Sequence, residues 1–179
     1  MMRKPKKDLV IDASIARAAG TENATHPTSV HCRDFLESVY LHGFGAVMTS
    51  EIYEEWRKHA SRSSHKWLRL MLGKRCVMHV DVVKNNTLRD KIQSTSEIKK
   101  HQEIMEKDCR LLEAALASDE IVFSLDEIIR NHFRRAAGSV REIGHVHWAN
   151  PDLPADTVVA WLENGAPNDK NRQLGYAGA

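Results

Sequence analysis

The chain has 179 residues, 42% of them hydrophobic and 28% charged, with a formal net charge of +2. That length suits one domain with a sizeable core, and no apolar run approaches the roughly 20 residues that a membrane span needs, so a membrane partner is excluded. Cys32, Cys76 and Cys109 are too few and too scattered for a disulfide framework or a zinc pair, and the start Met1-Met2-Arg3-Lys4-Pro5-Lys6-Lys7 lacks a signal-peptide core, which points to a reducing, cytoplasmic setting.

Leu9-Val10-Ile11 is a continuous apolar run, as expected of a strand buried on both faces, and it ends abruptly in Asp12-Ala13-Ser14. A short helical turn follows to Gly20, and Pro27 is placed to begin a helix in which Cys32, Phe35, Leu36, Val39 and Tyr40 share one face. Gly43 and Gly45 close it before a buried strand, Ala46-Val47-Met48. Thr49 or Ser50 caps the next helix, which carries Ile52, Trp56 and Ala60 on one side, and a further helix through Trp67 and Met71 ends at Gly73.

Val77 to Val83 reads as a third strand, and Ser94 with Glu97 as a capping box that opens one long helix or two consecutive ones. The segment Lys84 to Lys107 is highly charged, a helical insertion or a partner-binding arm. Ile121-Val122-Phe123 is a strand, Ile128 to Ala137 a helix, Ile143 to Trp148 a last strand and Val158 to Leu162 a last helix, with a flexible tail over residues 168–179. Strands separated by helices imply a three-layer α/β/α sandwich with a mostly parallel sheet of about five strands, in a single domain over residues 1–167 that carries a basic arm at residues 1–7.

In such a sheet, ligands bind outside the carboxyl ends of the strands. Phe123-Ser124-Leu125-Asp126 repeats the pattern of Ile11-Asp12-Ala13-Ser14, so two strand ends deliver Asp12 and Asp126 to one rim. Each acid could equally be a helix cap. Asp108 lies on the stripe of Leu112 and Ala115, where a carboxylate needs a partner, either a site or a salt bridge with Lys107 or Arg110. Glu51 and Glu55 sit one turn apart in the helix after the second strand, with Glu54 directed elsewhere. Glu55, beside Trp56 on the apolar side, is the fourth acid, and Glu51 the reserve.

Basic residues without acids between them run from Arg57 through Lys58, Arg62, Lys66 and Arg69, and again through Arg130, Arg134 and Arg135. With the basic N-terminal arm they favour a polyanionic partner, most simply a nucleic acid. His145-x-His147 has strand spacing but lacks the further ligands a zinc site requires, and Cys109 has no histidine placed to activate it. A haloacid-type phosphatase would want a second acid where Ser14 stands.

The ordered set Val10-Ile11-Asp12-Ala13-Ser14, Met48-Thr49-Ser50 leading to Glu55, Asp108 to Leu116, Phe123-Ser124-Leu125-Asp126 and His147-Trp148-Ala149-Asn150-Pro151 resembles the PIN-domain ribonucleases. The resemblance covers most of the chain, to about Pro151. It implies a divalent-metal-dependent endoribonuclease in which Asp12, Glu55, Asp108 and Asp126 hold Mg2+ or Mn2+ and carry the chemistry. Ser14 and Ser124 would support them, and Arg57, Lys58, Arg62, Lys66, Arg69, Arg130, Arg134 and Arg135 would bind RNA. Many members of the family are toxins, so an antitoxin or other protein is a further expected partner and a homodimer stays open. The alternative is a non-catalytic RNA- or protein-binding module of the same fold.

Overall fold

The computed structural model describes residues 6–176, so Arg3 and Lys4 of the basic arm and the last three residues of the expected tail lie outside the described residues. The strands β1 (Asp8–Ile11), β2 (Gly45–Met48), β3 (Val77–His79), β4 (Ile121–Phe123) and β5 (His147–Ala149) form one sheet in the order β3-β2-β1-β4-β5, parallel throughout. The helices that connect and flank them are α1 (Ala13–Ala18), α2 (Pro27–His42), α3 (Ser50–His59), α4 (Arg62–Gly73), α5 (Asn86–Gln93), α6 (Lys99–Leu116), α7 (Glu127–Ala137) and α8 (Val158–Glu163).

The central strands β1, β2 and β4 are buried at every position, which is why their sequences read as unbroken apolar runs rather than alternating ones. Alternation along β4 and β5 separates the two faces. Phe123 packs on Phe35 of α2 at 4.6 Å and on Trp161 of α8 at 5.9 Å between ring centroids. The neighbouring register pair Val122 and Trp148 faces the other way, where Trp148 meets Phe133 of α7 edge-on. Helices on both faces of a parallel sheet give the three-layer α/β/α sandwich. No helix among the described residues is long and apolar enough to cross a membrane.

Local chemistry accounts for most element ends. Pro27 opens α2, and Gly43 ends it in a left-handed conformation at φ 77° that other residues adopt at a cost. Thr49 caps α3 by accepting from the Ile52 N–H, Ser61 caps α4 and Asn85 caps α5.

Three expectations change. The strand expected over Val77 to Val83 keeps only Val77–His79, a half-exposed edge strand, and the last strand starts at His147 because Arg141–Ile143 turns as a 3-10 helix. The Ser94–Glu97 capping box does not form: Ser94 ends α5, and α6 begins after Ile98, with the Ser96 hydroxyl accepting from the Ile98 N–H. The charged segment from Lys84 to Lys107 packs on the body of the fold through its α5, which is fastened to α6. Arg89, 6% exposed, closes its fork on Glu113 at 2.8 and 2.6 Å and reaches Glu106 at 3.1 Å.

The C-terminal segment is packed rather than loose. Leu174 is buried and donates its N–H to the Val146 carbonyl, Gly175 donates to Gly144, and Gln173 pairs with His147 as an antiparallel bridge. Residues 173–175 thus cover the open edge of β5, which would otherwise present unpaired backbone groups.

Candidate functional site

The strand order changes direction between β1 and β4, since their connections lead away to opposite sides of the sheet. That is the switch point at which a doubly wound sheet opens a crevice beyond its strand ends. Asp12 follows β1 and Asp126 follows β4, so one acid stands on each side of it. Glu55 enters from α3 and Asp108 from α6. Together with Ala13, Ser14, Arg17, His59, Lys107, Arg110, Leu111 and Ile129 these four acids line one cavity of about 210 Å3.

Each acid is positioned by identifiable bonds. Asp12 occupies the N-cap position of α1 but its side chain makes no cap hydrogen bond, so the capping explanation fails for it. Instead its Oδ2 accepts from the Ser14 hydroxyl at 2.6 Å and the Ser124 hydroxyl at 2.9 Å. Its Oδ1 accepts from no described residue. The same two hydroxyls brace the β4 loop, Ser14 accepting from the Leu125 N–H and Ser124 from the Asp126 N–H. Asp126 does cap its helix, but with Oδ1 alone, which accepts from Ile128 and Ile129 N–H at 2.9 and 3.0 Å. Capping and site roles are therefore compatible there, one oxygen for each.

Trp56 shows how the glutamates of α3 are placed. Its indole N–H donates to the Ile11 carbonyl at 2.9 Å, which pins α3 against the end of β1 and turns Glu55, one position earlier, to the crevice. Glu51 is one turn back and lines an adjoining cavity of about 290 Å3 with Ser50, Glu54, Glu55 and Arg110. Glu54, expected to face elsewhere, reaches that cavity and pairs with Arg57 at 2.9 Å.

Asp108 stands within α6, with its side chain 17% exposed. Burial raises its carboxyl to about 6; Arg110 opposes that, Asp12 adds to it, and Lys107 and Asp126 act in the same two senses more weakly. Both readings of Asp108 hold together: it pairs with Arg110 at 3.3 Å and it faces the other acids. Three acids within electrostatic reach of one another make a site that favours an added positive charge.

The donor set is carboxylate and hydroxyl oxygen, with no sulfur and with one imidazole, His59, held 3.6 Å from Glu55. Hard oxygen donors of this kind suit Mg2+ or Mn2+. Asp12 and Asp126 each keep an oxygen without a described hydrogen-bond donor. Among the described residues no group of three or more acids, histidines or cysteines stands ready to hold a metal ion; Asp108 contacts Arg110 and Glu55 contacts His59.

The predicted cationic surface divides. Arg57, Lys58, Arg62, Lys66, Arg69 and Arg135 are exposed and Arg134 half-buried, while Arg57 and Lys66 are engaged by Glu54 and Glu22. Arg130 is not a nucleic-acid ligand. It is 2% exposed and its guanidinium is spent on Asp156, Glu127 and the Trp148 carbonyl, a buried strut between α7 and β5. Sequence reasoning missed Arg17 and His59 as lining residues. The signal was helical spacing, His59 one turn beyond Glu55 and Arg17 one turn beyond Ala13.

The other clusters are quiet. Burial pushes the Cys109 thiol up to about 12, which leaves no thiolate for nucleophilic attack. His147 uses Nε2 on Asn168 and the Asp169 N–H and stacks on Trp161, with no shared site with His145. Comparison of the chain with protein-family models, with curated proteins and with solved structures finds no match.

Proposed function

We propose that the chain is a divalent-metal-dependent endoribonuclease of the PIN type. One observation carries the reading: Asp12, Glu55, Asp108 and Asp126, from four separate elements, line a single crevice at the switch point of the sheet. A chance scatter of carboxylates has no reason to line the same crevice, and the Asp12 side chain caps nothing.

Asp12 and Asp126 would be the principal ligands of Mg2+ or Mn2+, through the oxygens left clear by Ser14, Ser124 and the cap of α7. Asp108 and Glu55 would complete the acidic wall. An ion held by these residues supplies activation of a water and relief of charge at a phosphodiester. Ser14 and Ser124 fix the Asp12 carboxylate, so that ordering a ligand needs no side-chain rearrangement at that corner. Arg17 and Lys107, which line the crevice, would meet the RNA backbone, with the exposed Arg62 and Arg69 of α4 as further cations. RNA as the substrate, a toxin role with an antitoxin partner and a cytoplasmic setting follow from the family resemblance and from the basic segments.

The test is cleavage of defined single-stranded and structured RNAs with and without Mg2+ or Mn2+. Cutting should require the metal and should fall at least about a thousandfold in Asp12→Asn and in Asp126→Asn. Undiminished cutting by both variants would sink the assignment.

The pairing of Asp108 with Arg110 and of Glu55 with His59 favours, as second reading, a non-catalytic binding module. Thermal stabilisation by Mn2+, lost in Asp12→Asn, separates the two.

A further inference from the structure

Arg110 stands two residues beyond Asp108 on α6, with its side chain 10% exposed. Burying a guanidinium so deeply is costly unless its N–H groups are satisfied. Here they are not. Nη1 donates to the Lys107 carbonyl at 2.8 Å, Nη2 lies 3.3 Å from Asp108 Oδ1, and the buried Nε has no hydrogen-bond partner among the described residues.

The other buried arginines differ in how they hold their carboxylates, although the Arg130 Nε also lacks a hydrogen-bond partner among the described residues. Arg89 closes its fork on Glu113 with bonds of 2.8 and 2.6 Å. Arg130 grips Asp156 at 2.7 and 3.3 Å. Those are bidentate pairs, the arrangement that makes a buried arginine a structural strut. Arg110 offers its carboxylate a single long contact. It also lines two spaces at once, the acidic crevice and the adjoining cavity where Glu51, Glu54 and Glu55 supply other carboxylates. A loosely held cation thus has a second acidic environment within its reach.

We propose that Arg110 is a displaceable counter-cation: it holds Asp108 while no divalent ion is bound, and yields it to the ion by swinging toward the cavity under Glu51, Glu54 and Glu55. The inference rests on the reading of the crevice as a metal site and adds a regulation of that site. Metal loading is then a competition between the ion and the chain's own guanidinium, and the half-saturating metal concentration is set higher than four free carboxylates would set it.

The experiment is Mn2+ titration by calorimetry of the chelator-stripped full chain, comparing wild type, Arg110→Met and Asp12→Asn. Methionine keeps an unbranched apolar stem and removes the charge. Removing one competing charge in contact with a ligand should tighten Mn2+ binding about tenfold, while Asp12→Asn should lose it. Equal or weaker binding by a folded Arg110→Met variant, beside measurable binding by wild type, overturns the counter-cation and leaves the metal site standing. Binding by Arg110→Met alone supports the competition directly, and binding by neither protein overturns both readings.

Should Arg110→Met fail to fold, the wild-type protein still decides. The Arg110 Nε–H proton, shielded from water in its buried position, should lose protection from solvent exchange when Mg2+ saturates the site. Unchanged protection at saturating Mg2+ overturns the proposal.

Discussion

Replacing Asp108 by asparagine is expected to stabilise the protein at neutral pH, although it deletes one member of an ion pair. Folding moves this carboxyl from 3.8 to about 6, with burial the largest cause. Each unit is about 1.4 kcal/mol of preference for the neutral form, so an ionised Asp108 costs the folded state about 3 kcal/mol. Asparagine keeps the shape and discards the charge. Allowing for its imperfect hydrogen bonding and for the 17% exposure of the aspartate, the expected gain is about 2 kcal/mol. The sign with pH follows from which state holds the proton. Between 3.8 and about 6 the folded chain keeps it and the unfolded chain has lost it, so this group's contribution is full below 3.8 and is lost as pH rises to about 6. Wild type and Asp108→Asn should therefore coincide near about pH 4 and separate above it, the variant being the more stable. Urea unfolding in chelator-treated buffer across that range reads the difference as a shift in midpoint at constant slope. A variant less stable than wild type at neutral pH would refute the reasoning, since the ion pair with Arg110 would then outweigh burial and repulsion. Excess Mn2+ should narrow the gap, because it stabilises the protein that has the additional anionic ligand.

Breaking the buried strut with Arg130→Met should cost about 3–5 kcal/mol in urea unfolding by leaving Asp156 uncompensated, whereas Arg62→Ala and Arg69→Ala should leave stability within about 0.5 kcal/mol and each flatten the salt dependence of RNA binding by about one ion. A normal midpoint for Arg130→Met would restore it as a surface ligand. Gly175→Ala places a methyl 2.9 Å from the Gly144 Cα and 3.0 Å from its carbonyl oxygen, both backbone. It should lift the segment from β5 at a cost of about 1–3 kcal/mol and speed amide exchange at Leu174 and Gly175, leaving α6 and α7 protected; unchanged exchange there would show that the segment is not fastened by this approach. Burial lowers the His147 pKa below 6.5, so the unfolded chain binds the proton first as pH falls. Stability from this group is whole above 6.5 and is lost on acidification through its folded value, and replacing His147 by glutamine should blunt the acid limb of a thermal-melting profile.

The strand ends that carry acids, and the acid that faces inward, are legible because the local rules are short-range. An unbroken apolar run ending in an acid says that a parallel strand delivers a carboxylate to its C-terminal edge, and β1 with Asp12 and β4 with Asp126 obey it. The stripe of Asp108, Leu112 and Ala115 says that a charge faces inward. A 3.6-residue period fixes that before any partner is known.

What the chain order could not decide was which groups meet. Arg130 and Arg62 look alike as residues in basic segments, yet one is a buried strut and the other an exposed cation, because only the docking of Asp156, at the end of the 3-10 turn Pro154–Asp156, against α7 tells them apart. The tail from Asn168 lacks hydrophobic periodicity, and beside the buried Leu174 and the Arg172 contact with Trp161 it is held by backbone pairing along the β5 edge. Such pairing draws on groups every residue carries, and so leaves no mark in side-chain pattern. The seating of α3, by the Trp56 indole bonded to the Ile11 carbonyl, is a contact across 45 positions. Arg110 was visible as a neighbour of Asp108, but its half-satisfied guanidinium between two acidic cavities exists only once α3 lies beside α6. The sequence by itself determined the sandwich and the rim on which its acids stand, since strand burial and helical period act within a few residues. The tertiary structure alone decided which charges are spent and which are held ready, because an ion pair depends on distances that only the packing of remote elements sets.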